Sequence, residues 1–378
     1  LLGYRSDIDL HASFALVGFL QGLVDNAKIL SPQLIEDLLN LFKKDNFYKE
    51  ISSVADNVSV LNDVNWPPSV INSNYDFSFL LFVHLLGQVC IELFKNMVHV
   101  PEDETLTKRL LKSDSVAYNI TSDDKVLIKD AVDGYSQCIK NLENKQGMIS
   151  ISSSKRVLYN NVKAISLDLM LLGYVASVVP FKCMSELVVN YMDSLSQLRE
   201  TGTDQIVEEI NSDLMLSTFS AAALLSESDR KFGLLVTKSF PVILSYPIID
   251  EANSRALAQS LTFSLKTLSE DEVVSCIYSL TNLLPDPITT NETKDTTSNG
   301  KIPEATRNTT VDGEDSDFAT SNNAGSHYLT REAQEVMCKN VVGVILEISK
   351  EFSDESINIL VITLLSQKIR KVPDEFNC

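Results

Sequence analysis

The chain has 378 residues, a formal net charge of −19 and a sequence pI near 4.6. Apolar residues make up 44% and charged residues 22%, which is typical of folded globular proteins and excludes a fibrous or wholly disordered chain. Because so much negative charge is repelled by phosphate backbones and anionic lipid headgroups, the composition argues against nucleic acid and against a membrane surface as partners, and leaves protein.

The sequence does not begin with an initiator methionine. Leu1 is its first residue and no basic, apolar signal sequence follows, so we expect the chain to be a segment of a longer protein.

The N-terminal part of the sequence contains one clear helix start. Ser31 and Pro32 form an N-cap followed by proline at the first helical position, and apolar residues then repeat at helical spacing. This pattern predicts an amphipathic helix over 32–42.

The apolar segment 77–94 has a composition close to that of a membrane span. His84, Gln88 and Glu92 nevertheless recur at helical spacing and therefore share one face, whereas a span needs about 20 residues nearly free of such groups. The segment is predicted to be a buried core helix with a thin polar edge. Gly87, together with a small cysteine nearby, is expected to let a neighbouring helix approach closely.

Helical periodicity continues to the end of the chain, while strand signals are almost absent. Acidic residues at 102–104 favour a helix start before Leu106, and Ser269 with Glu272 forms a capping box. Further helices are predicted over 121–142, 154–179, 181–198, 203–225, 228–245, 251–268, 269–284, 328–350 and 353–371.

This succession of helices leaves two all-α architectures, a closed bundle or a stacked solenoid. From Phe181 onward a helix pair recurs about every 45 residues, which is the spacing of HEAT and armadillo repeats. A single core stops growing at about 250 to 300 residues, whereas a stack does not. The sequence therefore predicts an α-solenoid of HEAT/armadillo-like helix pairs.

One segment interrupts the helical pattern. Residues 286–327 are rich in Thr, Asn and Asp and carry few aliphatic side chains, so burial there cannot offset the entropy of ordering. We expect a disordered acidic insertion at 286–327, with the solenoid occupying 1–285 and continuing over 328–378. The functional alternative for the insertion is a regulatory phosphoacceptor or a docking strip for a basic partner surface.

The sequence offers no catalytic constellation. It has no phosphate-binding glycine loop, no protein-kinase catalytic-loop motif, no zinc-protease motif and no nucleophile elbow. The histidines are scattered and the cysteines stand singly, which predicts core or surface histidines and buried, reduced thiols. No catalytic, cofactor-binding or metal-binding residue is predicted. The histidines are His11, His84, His99 and His327, and the cysteines are Cys90, Cys138, Cys183, Cys276, Cys338 and Cys378.

Four short segments resemble one protein family in their order and spacing. They are FALVGFL at 14–20, SCIYSLTNLL at 275–284, NVVGVI at 340–345 and LLSQKI at 364–369. Together they are similar to the helical region in the N-terminal half of fungal type III alpha phosphatidylinositol 4-kinases, the plasma-membrane enzymes of this class.

The resemblance implies a very large parent enzyme. Such a kinase transfers the ATP γ-phosphate to the 4-hydroxyl of the inositol ring of phosphatidylinositol, uses ATP and Mg, and has its catalytic domain outside this segment. The segment itself would be a non-catalytic scaffold without a cofactor. It would serve homodimerisation of the parent and bind protein adaptors and membrane-anchor proteins. These would bring a cytoplasmic kinase to the plasma membrane, without direct membrane insertion.

Two other interpretations remain open from the residues. The first is a stand-alone HEAT-type adaptor or transport scaffold with no kinase activity. The second is an all-helical enzyme with a metal or cofactor in its core, which the lack of clustered ligands disfavours.

Overall fold

The computed structural model describes most of the chain between residues 76 and 369. The described residues are 76–98, 100, 106–112, 120–146, 153–176, 181–201, 211–244, 251–285, 331–352 and 354–369, with single positions between 19 and 37. Across these ranges the secondary structure is helical throughout, without a strand. The expected insertion at 286–327 and most of the predicted helix at 32–42 lie outside them.

Eleven α-helices occupy the described ranges, in the order in which they follow along the chain. They are α1 (Asp76–Met97), α2 (Leu106–Lys112), α3 (Ser122–Gln146), α4 (Ser153–Val175), α5 (Phe181–Thr201), α6 (Ser212–Ser226), α7 (Arg230–Leu244), α8 (Glu251–Leu265), α9 (Glu270–Thr281), α10 (Arg331–Glu351) and α11 (Glu355–Ile369).

The helices stack in two rows. In the first row α1, α4, α6, α8 and α10 each pack against the next, and in the second row α5, α7, α9 and α11 do the same. Successive helices of the two rows also pack on each other, as α6 does on α7 and α10 on α11. A stack in which each helix pair contacts mainly its neighbours is an α-solenoid, so the predicted fold class is confirmed. The predicted repeat corresponds to the second-row starts at Phe181, Arg230 and Glu270.

Helix α6 lies in the middle of the stack and is buried on almost every side. It contacts α2, α4, α5, α7 and α8, and its alanine run at 221–223 is fully buried and keeps the helix narrow. Phe219 meets Phe240 of α7 edge to face, with ring centroids 5.9 Å apart. The hydroxyl oxygens of Ser220 and Ser260 lie 3.3 Å apart and connect α6 to α8. A helix made mostly of small and apolar residues fits such an interior position.

The apolar segment at 77–94 forms α1, a core helix as predicted. Leu80, Val83 and Phe94 are almost completely buried in it. The expected close approach at Gly87 also occurs, because the Tyr135 hydroxyl of α3 lies against this glycine and donates a hydrogen bond to the Val83 carbonyl. Among the described helices none is long and apolar enough to cross a membrane.

The predicted capping box at the start of α9 is present. The Ser269 N–H and hydroxyl donate to the Glu272 carboxylate at 2.9 and 2.8 Å. Arg230 at the start of α7 approaches the other Glu272 oxygen at 2.5 Å, so one carboxylate ties the N-termini of two second-row helices together. These partners lower the pKa of Glu272 to about 2.

The prediction of one uninterrupted helix over 203–225 is wrong, because the helix is interrupted at Asn211, while residues 203–210 lie outside the described ranges. Helix α6 begins at Ser212, because Asn211 in extended backbone conformation caps it and accepts a hydrogen bond from the Leu214 N–H at 2.8 Å. A second Asn211 contact, 2.5 Å from its amide nitrogen to the Asn161 oxygen, fixes this cap against α4. The long-range partner explains why local periodicity misplaced the boundary.

Candidate interaction surfaces

Of the four histidines, His84 is the one that lies within the described residues. His84 is half-buried on α1, its Nδ1 is enclosed without a hydrogen-bond partner, and burial lowers the pKa of the ring. His11, His99 and His327 lie outside the described residues. Within the part that is described, no three His, Cys, Asp or Glu side chains come together as a metal site would require.

The described cysteines are unbridged, and three of them are buried. Burial raises the pKa of Cys90, Cys138 and Cys276 to about 12 in each case, and a protonated, enclosed thiol is neither a nucleophile nor a metal ligand. Cys183 and Cys338 are half-buried and also unbridged. The predicted burial is confirmed for Cys90, Cys138 and Cys276, whereas Cys183 and Cys338 are only half-buried. Cys378 lies outside the described ranges, and the reduced state stays a prediction.

A buried carboxyl group lies where α1, α4 and α6 meet. Asp168 of α4 accepts a hydrogen bond from the Ser217 hydroxyl of α6 at 2.7 Å. The residue keeps partial contact with solvent, but protein atoms surround its carboxyl group, and this burial raises the pKa of Asp168 to about 7. Ser217 and the charge of Lys95 oppose the rise, whereas Asp213 adds to it. This pair connects two first-row helices, α4 and α6.

The polar stripe predicted on α1 borders this junction. His84, Gln88 and Glu92 are each half-buried, while the residues between them are mostly buried. Glu92 accepts from the Lys95 ammonium at 2.6 Å. The stripe is therefore a structural edge of the core helix, as the sequence predicted.

A pocket of about 220 Å³ opens between α4, α5 and the start of α6. Its walls combine two basic side chains, two asparagines and a half-buried tyrosine over a leucine floor. The lining residues are Arg156, Asn160, Lys163, Leu167, Leu187, Asn190, Tyr191, Ser194, Leu195 and Leu214. Sequence reasoning missed this pocket, because each helix taken alone shows an ordinary amphipathic pattern and only the packing of three helices brings the residues together.

Tyr191 is the most unusual group in the pocket. Its hydroxyl oxygen is buried and has no hydrogen-bond partner in the described structure, and burial raises the pKa of the phenol. Lys163 lies on the opposite wall, with its ammonium 4.7 Å from the centroid of the Tyr159 ring, a cation–π contact that holds the charge beside the pocket. The pocket thus brings basic side chains of α4 together with a tyrosine of α5 whose hydroxyl is buried.

Helix α11 presents an apolar face to solvent. Ile357, Val361 and Leu365 point into the stack and are buried, whereas Ile359 and Ile362 are 57% and 64% exposed. We call the last two residues the α11 face. Nearby hydroxyls do not make it polar, because those of residues 363 and 366 are hydrogen-bonded to backbone carbonyls of the same helix.

The comparisons with known proteins give one informative result. No family model matches the chain, and no solved structure matches it. Phosphatidylinositol 4-kinase STT4 of Saccharomyces cerevisiae is 26% identical to it over 213 residues, which cover 49% of this chain and 11% of that kinase. The similarity supports a relationship between part of this chain and phosphatidylinositol 4-kinases. The chain spans only a small part of the length of that relative.

Proposed function

We propose that this chain is a non-catalytic scaffold segment of a type III alpha phosphatidylinositol 4-kinase, which makes phosphatidylinositol 4-phosphate from ATP and phosphatidylinositol. In this role it supports dimerisation of the parent and binds the adaptor and membrane-anchor proteins that recruit the kinase to the plasma membrane. The similarity to the yeast kinase is the observation that carries the proposal.

The architecture supports a scaffold role over a catalytic one. Phosphoryl transfer needs a phosphate cradle together with residues that hold metal ions and orient the nucleophile, and the sequence has no motif for such a cradle. A two-row helical stack instead offers long surfaces on which proteins dock. Catalysis therefore belongs to another part of the proposed parent.

The charge and the α11 face support protein partners. A net charge of −19 disfavours direct contact with anionic lipid, so a protein intermediary would make the membrane connection. Ile359 and Ile362 are more than half exposed, and a protein partner could cover them. An apolar side chain of this size contributes about 1.5 to 3 kcal/mol when it becomes fully buried.

The first test measures lipid kinase activity. The purified chain, supplied with ATP, Mg and phosphatidylinositol, is expected to form no phosphatidylinositol 4-phosphate above a protein-free blank. A chimera in which the chain replaces the matched segment of the yeast kinase is expected to be active in detergent and to restore the lipid product at the plasma membrane of cells that lack the native enzyme.

The control chimera carries an unrelated helical solenoid of similar length at the same place. It should be active in detergent but fail to restore the lipid at the plasma membrane. Specific turnover by the purified chain would refute the non-catalytic assignment. A chimera that is active in detergent yet no better in cells than the control would refute the scaffold assignment and favour the stand-alone adaptor.

A further inference from the structure

The pocket between α4, α5 and α6 places positive charge in a strongly acidic protein. Arg156 and Lys163 are two turns apart on α4 and therefore share the face that lines the pocket. No aspartate or glutamate is among the pocket's described lining residues, although the whole chain carries 51 acidic side chains against 32 basic ones. The local potential thus favours an anionic group.

The floor of the same pocket is apolar. Four leucines contribute to it from three helices, and none is more than 8% exposed: Leu167, Leu187, Leu195 and Leu214. A ligand that fits both features carries an apolar group beside its anionic group. The volume of about 220 Å³ is below the range of about 300 to 1,000 Å³ typical of small-molecule sites, so it suits one or two side chains better than a cofactor.

The Tyr191 hydroxyl supplies an independent indication of a ligand. A buried hydroxyl without a partner costs about 1 to 3 kcal/mol, and the tyrosine that carries this one lines the pocket. An acceptor oxygen from a bound group would satisfy it. A carboxylate or a carbonyl oxygen provides such an acceptor.

The asparagines favour a peptide over other anions. Asn160 of α4 and Asn190 of α5 both line the pocket, and a side-chain amide carries a donor and an acceptor that match the two polar groups of a peptide bond. Free phosphate offers no donor N–H and no apolar group. A lipid headgroup lacks the bulky side chain that the leucine floor would accommodate.

We propose that this pocket binds a short segment of a protein partner in which an acidic residue adjoins a bulky aliphatic residue. The inference rests on the proposed scaffold function and adds to it the chemistry of one partner. In the complex the carboxylate lies near Arg156 and Lys163, the aliphatic side chain covers the leucines, and Tyr191 donates to an oxygen of the peptide.

The test uses fluorescence anisotropy with the full chain. The probes are fluorescein-labelled peptides built from repeats of Asp-Leu-Glu, Asn-Leu-Gln or Lys-Leu-Arg. Saturable binding is expected for the acidic probe, with affinity roughly tenfold or more above that of the neutral probe, because close ion pairs are replaced by uncharged contacts in the latter. No saturable binding of the acidic probe would overturn the inference.

Matched variants locate the binding site. Lys163→Glu is expected to weaken binding of the acidic probe roughly tenfold or more. Lys182→Glu makes the same charge change on α5 outside the pocket, at a side chain that is 89% exposed, and is expected to change affinity less than about twofold, since exposed charges contribute little. Equal losses in the two variants would show a non-specific charge effect and would overturn the assignment.

Tyr191→Phe separates a ligand contact from a structural role. Because the hydroxyl is unpartnered in the unbound protein, its removal is expected to leave the unfolding midpoint unchanged or raised, while the affinity for the acidic probe falls several-fold. Unchanged affinity would refute the role of the hydroxyl in binding.

Competition distinguishes the sources of the anion. Inorganic phosphate and phosphatidylserine-containing vesicles, at matched ionic strength, are expected not to displace the acidic probe. Displacement by either would refute a peptide as the occupant. A failure of peptide binding leaves the activity and recruitment of the chimeric kinase unaffected, so it is distinguishable from a failure of the scaffold function.

Discussion

Replacing Gly87 with alanine is expected to lower the free energy of unfolding by about 3 kcal/mol or more, through overpacking and loss of a buried hydrogen bond. A Cβ atom at this position would overlap the hydroxyl oxygen and Cζ of Tyr135 and Cγ2 of Ile165. Neither neighbour can yield easily, because Tyr135 is fully buried and its hydroxyl is bonded to the Val83 carbonyl. Chemical denaturation of the variant and the parent chain measures the difference.

Gly343→Ala is the matched control for this substitution. Gly343 lies within α10, is exposed, and a Cβ there would meet no atom within 4 Å. Alanine in a helix interior is favoured over glycine by about 0.5 to 1 kcal/mol, so this variant should be slightly more stable than the parent. If the two alanines had the same effect, the close packing of α1 against α3 would be wrong.

Replacing Asp168 with asparagine is expected to stabilise the protein at pH 8 by about 2 to 3 kcal/mol, and to have little effect below about pH 4. The pKa of Asp168 is raised from 3.8 in the unfolded chain to about 7 in the fold, and each unit of difference is equivalent to about 1.4 kcal/mol. The full shift is reduced here because the residue keeps partial contact with solvent. Asparagine retains an acceptor for the Ser217 hydroxyl and cannot become charged.

The direction of the pH effect follows from proton binding. Between about pH 4 and 7 the folded protein keeps a proton on Asp168 that the unfolded chain releases, so the stability linked to this group is present at low pH and is lost as pH rises through the folded pKa. The stability difference between variant and parent should therefore grow over this window. A difference independent of pH would contradict burial of the carboxyl group.

Glu272→Gln provides a control of opposite sign. The pKa of Glu272 is lowered to about 2 by Arg230 and by Ser269, so its contribution is present above the unfolded pKa and is lost as pH falls toward 2. Near neutral pH this variant should have a lower free energy of unfolding than the unsubstituted chain, and the difference should disappear in acid.

Local patterns predicted those features that depend on neighbours in the sequence. The α1 core helix follows from an apolar run with a polar stripe, and the α9 start follows from Ser269 and Glu272 three residues apart. The row-by-row stack follows from a succession of helices too long for a single core. Each of these depends on spacing that the chain itself displays.

Long-range packing determined the features that the sequence did not reveal. The start of α6 depends on Asn211 contacting Asn161 in another helix. Helix α2 was expected only as a local helix, yet it packs across α4, α6 and α8. The raised pKa of Asp168 and the pocket around Tyr191 likewise arise from three helices meeting. Without knowledge of which helices are neighbours, neither could be derived.

The central claim, that this segment recruits a lipid kinase through protein contacts, is tested most directly by the fraction of the chimeric kinase at the plasma membrane. Ile362→Asp places a charge on the α11 face, and Gln367→Asp places the same charge at another exposed position of α11. We expect the first variant to leave the membrane while the second remains, with equal kinase activity in detergent. Equal membrane fractions for both variants would contradict recruitment through the α11 face.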